Sequence, residues 1–183
     1  SKIFNPNEIF RSDENVCTKA PNIEELELSR NATYLHYCPN ETIQGVAIHE
    51  IPKIDIPLIA DMSSVILSQP LDVSKFSIIY AGAQKNIGPA GLTIVIINKE
   101  FMQMGNENLP NILKYSEHSK LNSMLNTPPT FSWYIAGKVF KWMIKLGGLD
   151  YFEEQNKLKA SLLYDFIDNS DFYINPVDTS CRS

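Results

Sequence analysis

Four short apolar runs constrain this chain more than any other feature. Residues 34–38, 56–60, 77–81 and 92–97 are mostly apolar and do not alternate strictly between apolar and polar positions. Runs this short read as strands, and continuous ones indicate strands covered on both faces. Residues 82–91, between the third and fourth runs, form a short Gly/Pro loop. A parallel crossover needs about a dozen residues or more, so these two runs are expected to be antiparallel neighbours in a mostly parallel sheet. Two helices close the chain. Asn126-Thr127-Pro128-Pro129-Thr130 reads as a helix start with Thr127 as a possible N-cap. That helix is expected over 131–146, with Phe131, Tyr134, Ile135, Val139, Trp142, Met143 and Leu146 at helical spacing and Gly147-Gly148 as its stop. The next is expected over 150–168, with Leu158, Leu162, Leu163, Phe166 and Ile167 inward. Residues 1–30 are polar, broken by Pro6 and Pro21, and read as loop or a short helix near 23–29. A mostly parallel sheet, which needs both faces covered, points to an α/β fold.

Composition narrows the function. The chain has 183 residues, enough for one domain or one and a fraction. Sixteen Lys plus Arg against 21 Asp plus Glu give a formal charge of −5, so a nucleic-acid-coating role is not expected. The longest apolar run falls far short of the ~18 residues of a membrane span. The opening Ser1-Lys2-Ile3-Phe4-Asn5-Pro6 has no hydrophobic leader segment. Cys17, Cys38 and Cys181 show no CxxC pairing or zinc spacing and read as ordinary thiols of a reducing, cytoplasmic compartment, with no metal. The chain lacks an initiator Met and stops at Cys181-Arg182-Ser183, so it reads as a section of a longer polypeptide.

Three polar residues follow the first three strands: Thr42, Asp61 and Lys85. Ligands of open α/β sheets bind outside the carboxyl ends of the strands, so these residues converge on one crevice if the strands are adjacent and parallel. A carboxylate ending a buried strand needs a cation or several donors; alternatively Asp61 caps a helix beginning at Met62-Ser63-Ser64. Lys85 lies among small residues after a strand, where desolvation would make its amine a nucleophile; alternatively it merely occupies a tight turn. The loop is not a Walker phosphate loop, because five residues separate Gly82 from Gly88 and Pro89 follows. Aspartate and lysine at neighbouring strand ends suggest pyridoxal 5'-phosphate, with the lysine holding the cofactor and the aspartate facing its pyridine nitrogen. His36 reads as a core histidine, His49 and His118 as surface residues, and Trp133 and Trp142 as core packing.

Longer stretches are more specific. His36-Tyr37-Cys38-Pro39-Asn40-Glu41-Thr42-Ile43, Ala60-Asp61-Met62-Ser63-Ser64, Ala81-Gly82-Ala83-Gln84-Lys85-Asn86-Ile87-Gly88-Pro89-Ala90-Gly91 and Asn126-Thr127-Pro128-Pro129-Thr130 occur in this order. Together they resemble the phosphoserine aminotransferases, fold-type I pyridoxal-phosphate enzymes of the class V aminotransferase group, which implies a three-layer α/β/α large domain and the start of an α+β small domain. The resemblance covers residues from about Tyr34 to Ser183. It implies transfer of an amino group between glutamate and 3-phosphohydroxypyruvate, giving phosphoserine and 2-oxoglutarate, and in many bacterial members a second role in pyridoxine synthesis. It implies Lys85 as the Schiff-base lysine, Asp61 as partner of the pyridine nitrogen, Thr42 as a cofactor contact and Gln84 as a cofactor-phosphate ligand. Asn126 and Thr127 match phosphate ligands that reach the neighbouring subunit's site, which implies a homodimer. Residues 1–148 would belong to the cofactor-binding large domain and 149–183 would begin the small domain. The stacking aromatic and the substrate arginines are expected outside this chain, since Arg11, Arg30 and Arg182 match none of those roles. A cysteine desulfurase, the nearest rival, would be expected to carry histidine where Gln84 stands. A rival of another kind is a non-catalytic dimerisation or binding module.

Overall fold

The computed structural model describes residues 6–10 and 17–183. Arg11 and residues 1–5, where a leader was not expected, lie outside the described residues. A four-stranded sheet is built from β1 (Leu35–Tyr37), β4 (Leu58–Asp61), β5 (Ile78–Gly82) and β6 (Thr93–Ile97), in the order β1-β4-β5-β6. β1, β4 and β5 run parallel, while β5 and β6 are antiparallel. The four apolar runs therefore form the sheet as expected, including the reversal imposed by the short loop. A small hairpin, β2 (Asn40–Glu41) with β3 (Val46–Ala47), follows β1.

Coverage is less even than unbroken apolar runs suggest. β5 is central and covered on both faces, with Ile78 and Ile79 both buried. β6 is an edge strand, and Thr93 and Ile96 are exposed. The core gathers Leu35, Leu58, Ala60, Ile79, Ala81, Ala83 and Ile87 under the helices.

The helices are α1 (Lys99–Gln103), α2 (Tyr115–Lys120), α3 (Thr130–Lys145) and α4 (Gly148–Asp168). The two long ones fall where the periodicity predicts. The short helix expected near 23–29 is one 3-10 turn, Ile23–Glu25, whose N-cap Asn22 accepts from the Glu24 N–H. Thr127 is not the N-cap of α3: that position is Pro129, and no side chain caps the helix.

The buried face of α3 is also not the aromatic stripe. Ser132, Ala136 and Met143 are buried and Phe140 packs on the core, whereas Phe131, Tyr134 and Trp142 are exposed. Trp142 lies against Phe152 of α4, with centroids 5.2 Å apart, instead of in the core. Small side chains win because α3 approaches backbone: a Cβ on Gly88 would lie 3.6 Å from the Ala136 nitrogen. Ser132 Oγ donates to the Ala90 carbonyl at 2.8 Å. On α4 the expected inward residues Leu158, Leu162, Leu163 and Phe166 are exposed, and only Ile167 is half-buried. Periodicity identifies an apolar face, but not what covers it.

Depth in the sheet sets the cost of truncation. Ile79→Ala is expected to lose about 2–5 kcal/mol in urea unfolding, and Ile96→Ala, on the exposed edge, about 1 kcal/mol or less. Equal losses at the two positions would contradict β5 as the covered centre.

Candidate functional site

The parallel strands β1, β4 and β5 deliver Thr42, Asp61 and Lys85 to the same end of the sheet. Thr42 stands in the turn of the β2–β3 hairpin. The Glu41 carboxylate shapes that turn by accepting from the backbone N–H groups of Ile43 (3.1 Å) and Gln44 (2.7 Å). Gly45 completes it at φ +77°, a left-handed conformation that glycine adopts without strain.

Lys85 sits on one helical turn following β5. Ile87 and Gly88 both donate to the Ala83 carbonyl, at 3.2 and 2.8 Å. Ala83 and Ile87 are fully buried, so the residues between them, Gln84, Lys85 and Asn86, face outward. Asn86 Nδ2 donates to the Ile66 carbonyl at 2.8 Å, tying this loop to the turn after β4. Lys85 Nζ donates to Thr42 Oγ1 at 2.9 Å. The amine is exposed, which corrects the expectation of a desolvated lysine: the small residues around it bury the loop's anchors, not its tip. The Gln84 amide folds back over Gly82, where a Cβ would come within 2.6 Å of Oε1.

Asp61 ends β4 half-buried. Its Oδ1 accepts from the Ser63 backbone N–H at 3.0 Å and from the Ser63 hydroxyl at 2.6 Å. Tyr80, its cross-strand partner on β5, stands beside it. Burial pushes the carboxyl up, but the Ser63 hydroxyl and N–H, the Tyr80 hydroxyl and His36 outweigh this, so the net shift is downward. Asp61 is therefore ionised at neutral pH. Both sequence alternatives hold in part: it caps the turn at 62–66 by an Asx-type bond, and it is a strand-end carboxylate supplied with donors.

His36 is exposed, which corrects its reading as a core histidine. It lies on the uncovered face of the edge strand β1, and its Nε2 is 2.9 Å from the Tyr80 hydroxyl, with the two rings stacked. His49 is exposed with Nε2 3.1 Å from the Arg182 carbonyl, and His118 is half-buried with Nε2 3.0 Å from the Ile112 carbonyl. Arg182 pairs bidentately with Asp168 at 2.6 and 2.8 Å and is not at this site.

Asn126 and Thr127 are exposed in the segment entering α3. Among the described residues, no hydrogen bond joins them to Thr42, Asp61, Gln84 or Lys85. The structure thus brings Thr42 to Lys85 directly and joins Asp61 to the Lys85 loop through Ser63. Glu41, Ser63 and Tyr80 were not singled out by sequence reasoning. Serine two residues after aspartate is an Asx-turn signature that could have revealed Ser63. The three cysteines are free, and no metal-ligating group of three is present among the described residues. Among those residues, too, no helix is long and apolar enough to cross a membrane.

This donor set suits an aromatic aldehyde cofactor bearing a ring nitrogen and a phosphate. It offers a primary amine beside a hydroxyl, an ionised carboxylate on the adjacent strand and an amide at the loop tip. The pattern of the family described as aminotransferase class-V matches residues 9–182. The chain is 55% identical over 160 residues to phosphoserine aminotransferase of Idiomarina loihiensis, covering 87% of this chain and 44% of that protein. It is 56% identical over 164 residues to the same enzyme of Hahella chejuensis, covering 89% and 45%. The chain therefore spans less than half the length of these curated relatives. Among solved structures it is similar to pyridoxal-phosphate-bound phosphoserine aminotransferase of Trichomonas vaginalis, with TM-score 0.89, 38% identity and coverage of 96% and 51%. It is likewise similar to the enzyme of Bacillus circulans subsp. alkalophilus, with TM-score 0.85, 45% identity and coverage of 89% and 46%.

Removing the Ser63 hydroxyl tests the account of Asp61. Ser63→Ala is expected to raise the Asp61 titration midpoint, read from the side-chain carboxyl carbon by NMR. The sign follows from the depressed folded value: the stabilisation by Asp61 is complete above the ordinary aspartate range and is lost as pH falls through the folded midpoint. Ser63→Ala is expected to shrink that acid-side loss, and an unmoved midpoint would refute the assignment.

Proposed function

We propose that this chain, which belongs to the class-V aminotransferase family, carries the lysine-bearing part of a phosphoserine aminotransferase site. One observation supports this most: Lys85 Nζ bonds Thr42 Oγ1 at 2.9 Å, beside a strand-end carboxylate already supplied with donors. Identity of 53–56% to curated phosphoserine aminotransferases supports the choice within the family.

In this reading Lys85 holds pyridoxal 5'-phosphate covalently through its amine, Asp61 faces the ring nitrogen, Thr42 contacts the cofactor and Gln84 contributes to its phosphate. Bound there, the cofactor would supply an electron sink for charge developing at the substrate Cα. As a free amine, Lys85 Nζ would move the proton at that Cα. Its hydrogen bond to Thr42 orients the amine on a loop fixed at both ends. Asp61 keeps a proton on the ring nitrogen by remaining ionised, and its Ser63 bonds hold it in that state. Asn126 and Thr127, both exposed, serve the cofactor phosphate of a second subunit.

The reaction is amino transfer between glutamate and 3-phosphohydroxypyruvate in serine biosynthesis, with pyridoxine synthesis as a second use, by a cytoplasmic homodimer. Residues 1–148 belong to its large domain, and 149–183 begin the small one.

Borohydride reduction of the chain mixed with pyridoxal phosphate, followed by peptide mass analysis, tests the cofactor assignment. Label is expected on Lys85 and is expected to vanish in Lys85→Ala. Label scattered over surface lysines, with Lys85 no richer than the rest, would overturn it. Light scattering after size exclusion is expected to give twice the chain mass; a monomer at high concentration would remove the shared-site role of Asn126 and Thr127.

A further inference from the structure

The turn carrying Thr42 is held from outside by residues distant in sequence. Arg182 forms an antiparallel bridge with Val46 of β3, and the Ser183 N–H donates to the Gly45 carbonyl at 2.9 Å. Gly45 closes the Thr42 turn, its own N–H donating to the Glu41 carbonyl at 3.2 Å. On its other side the hairpin is tied to the turn after β4. There Asn40 Nδ2 donates to Ser64 Oγ at 3.0 Å, and that hydroxyl donates to the Asn40 carbonyl at 3.1 Å.

Arg182 is fixed in turn by α4. Its Nη1 and Nη2 donate to the two carboxylate oxygens of Asp168, the last residue of α4, at 2.6 and 2.8 Å. The guanidinium carbon lies 4.9 Å from the centre of the Tyr164 ring, one helical turn earlier on the same face. Arg182 Nε is buried without a hydrogen-bond partner, so among the described residues Asp168 is the acceptor for the whole guanidinium. The Arg182 side chain is 13% exposed and that of Asp168 44%. A fully exposed pair contributes little, but here the cation is mostly desolvated and the contact is bidentate. Without the carboxylate that cation would have no acceptor. Asn156 Nδ2 donates to the Ser68 carbonyl at 2.9 Å, which ties α4 itself to the segment after β4.

We propose that Arg182 is a positioning residue for Thr42: clamped to α4 by Asp168 and Tyr164, it holds the β2–β3 hairpin where Thr42 Oγ1 meets Lys85 Nζ. This role deepens the cofactor reading, on which its catalytic meaning rests. In the domain division proposed above, Asp168 and Arg182 belong to the small domain and Thr42 to the large one. The clamp therefore passes the placement of one domain to a contact of the reactive amine in the other.

The test needs no cofactor. In the isotopically labelled chain, the Lys85 ¹⁵Nζ resonance is expected to shift in Thr42→Val, which removes the hydroxyl it bonds. Arg182→Lys keeps the charge but loses the fork. It is expected to shift the resonance in the same direction, and to add nothing when combined with Thr42→Val. The amide hydrogens of Gly45 and Ser183 are expected to exchange about tenfold faster in Arg182→Lys, the size that hydrogen bonds to a charged group support. Those of Ile79 and Tyr80 in β5 are expected to keep their rates. A Lys85 resonance unmoved in folded Arg182→Lys would overturn the assignment. So would an equal shift in the Thr42→Val background, because Arg182 would then not act through Thr42. Faster exchange throughout β5 would mark a merely structural role and overturn it too. Should Arg182→Lys not fold, Asp168→Asn, at the more exposed partner, decides by the same readings. Borohydride labelling of Lys85 reports the cofactor reading separately, so either can fail without the other.

Discussion

The organisation of this end of the molecule follows from one carboxylate. Asp61 closes a strand whose preceding residues are apolar, and a charge there must be met by donors or forgo ionisation. The donors come from Ser63, and that choice has structural consequences. Ser63 Oγ donates to Asp61 and also accepts from the Gly82 N–H at 3.0 Å. The same hydroxyl thus binds the turn after β4 to the last residue of β5, which is where the lysine loop starts. Satisfying Asp61 and aligning that loop are one event.

The lysine loop is then rigid for reasons unrelated to lysine. Ala83 and Ile87, four residues apart in a helical turn, are both fully buried, and Asn86 bonds the Ile66 carbonyl. On its far side α3 packs with Ser132 and Ala136 against Ala90 and Gly88. Bulky residues on that face would hold the helix away from the loop. The aromatic side chains are displaced to the other face because close backbone packing excludes them. An exposed amine on a loop clamped from both sides combines access with a fixed point of attachment.

The sheet was largely legible from the sequence because its signal is local. Runs such as 77–81 are apolar without interruption, and the ten residues 82–91 are too few to cross over, so strand order reverses at β6. Thr42, Asp61 and Lys85 could be placed because each directly follows a strand or its turn. What the sequence hid depended on long-range partners. His36 read as a core residue because its neighbours are apolar, yet β1 is an edge strand and its side chain lies on the open face. Tyr80 is one residue of an apolar run, and only the parallel register sets it beside Asp61. The buried face of α3 is set by the proximity of the Gly88–Ala90 loop, which the bulk of the helix's side chains does not reveal. Burial of Leu158 and Leu162 depends on a covering element, and the described residues of this chain do not provide one.

Strand direction also limits what this crevice can contain. β1, β4 and β5 run in parallel and bring their carboxyl ends to one rim. β6 runs the other way, pairing its first residue, Thr93, with Gly82, so its carboxyl end lies at the opposite rim beside Ile78. The rim beyond β5 therefore receives the start of a strand rather than its end, and no residue following β6 enters the crevice by that route. Functional groups there come from the three parallel strand ends or from elements that reach in from elsewhere. A hydroxyl, a carboxylate and an amine occupy those three ends in strand order, one each, which is why a pair as far apart in sequence as Thr42 and Lys85 meets at 2.9 Å.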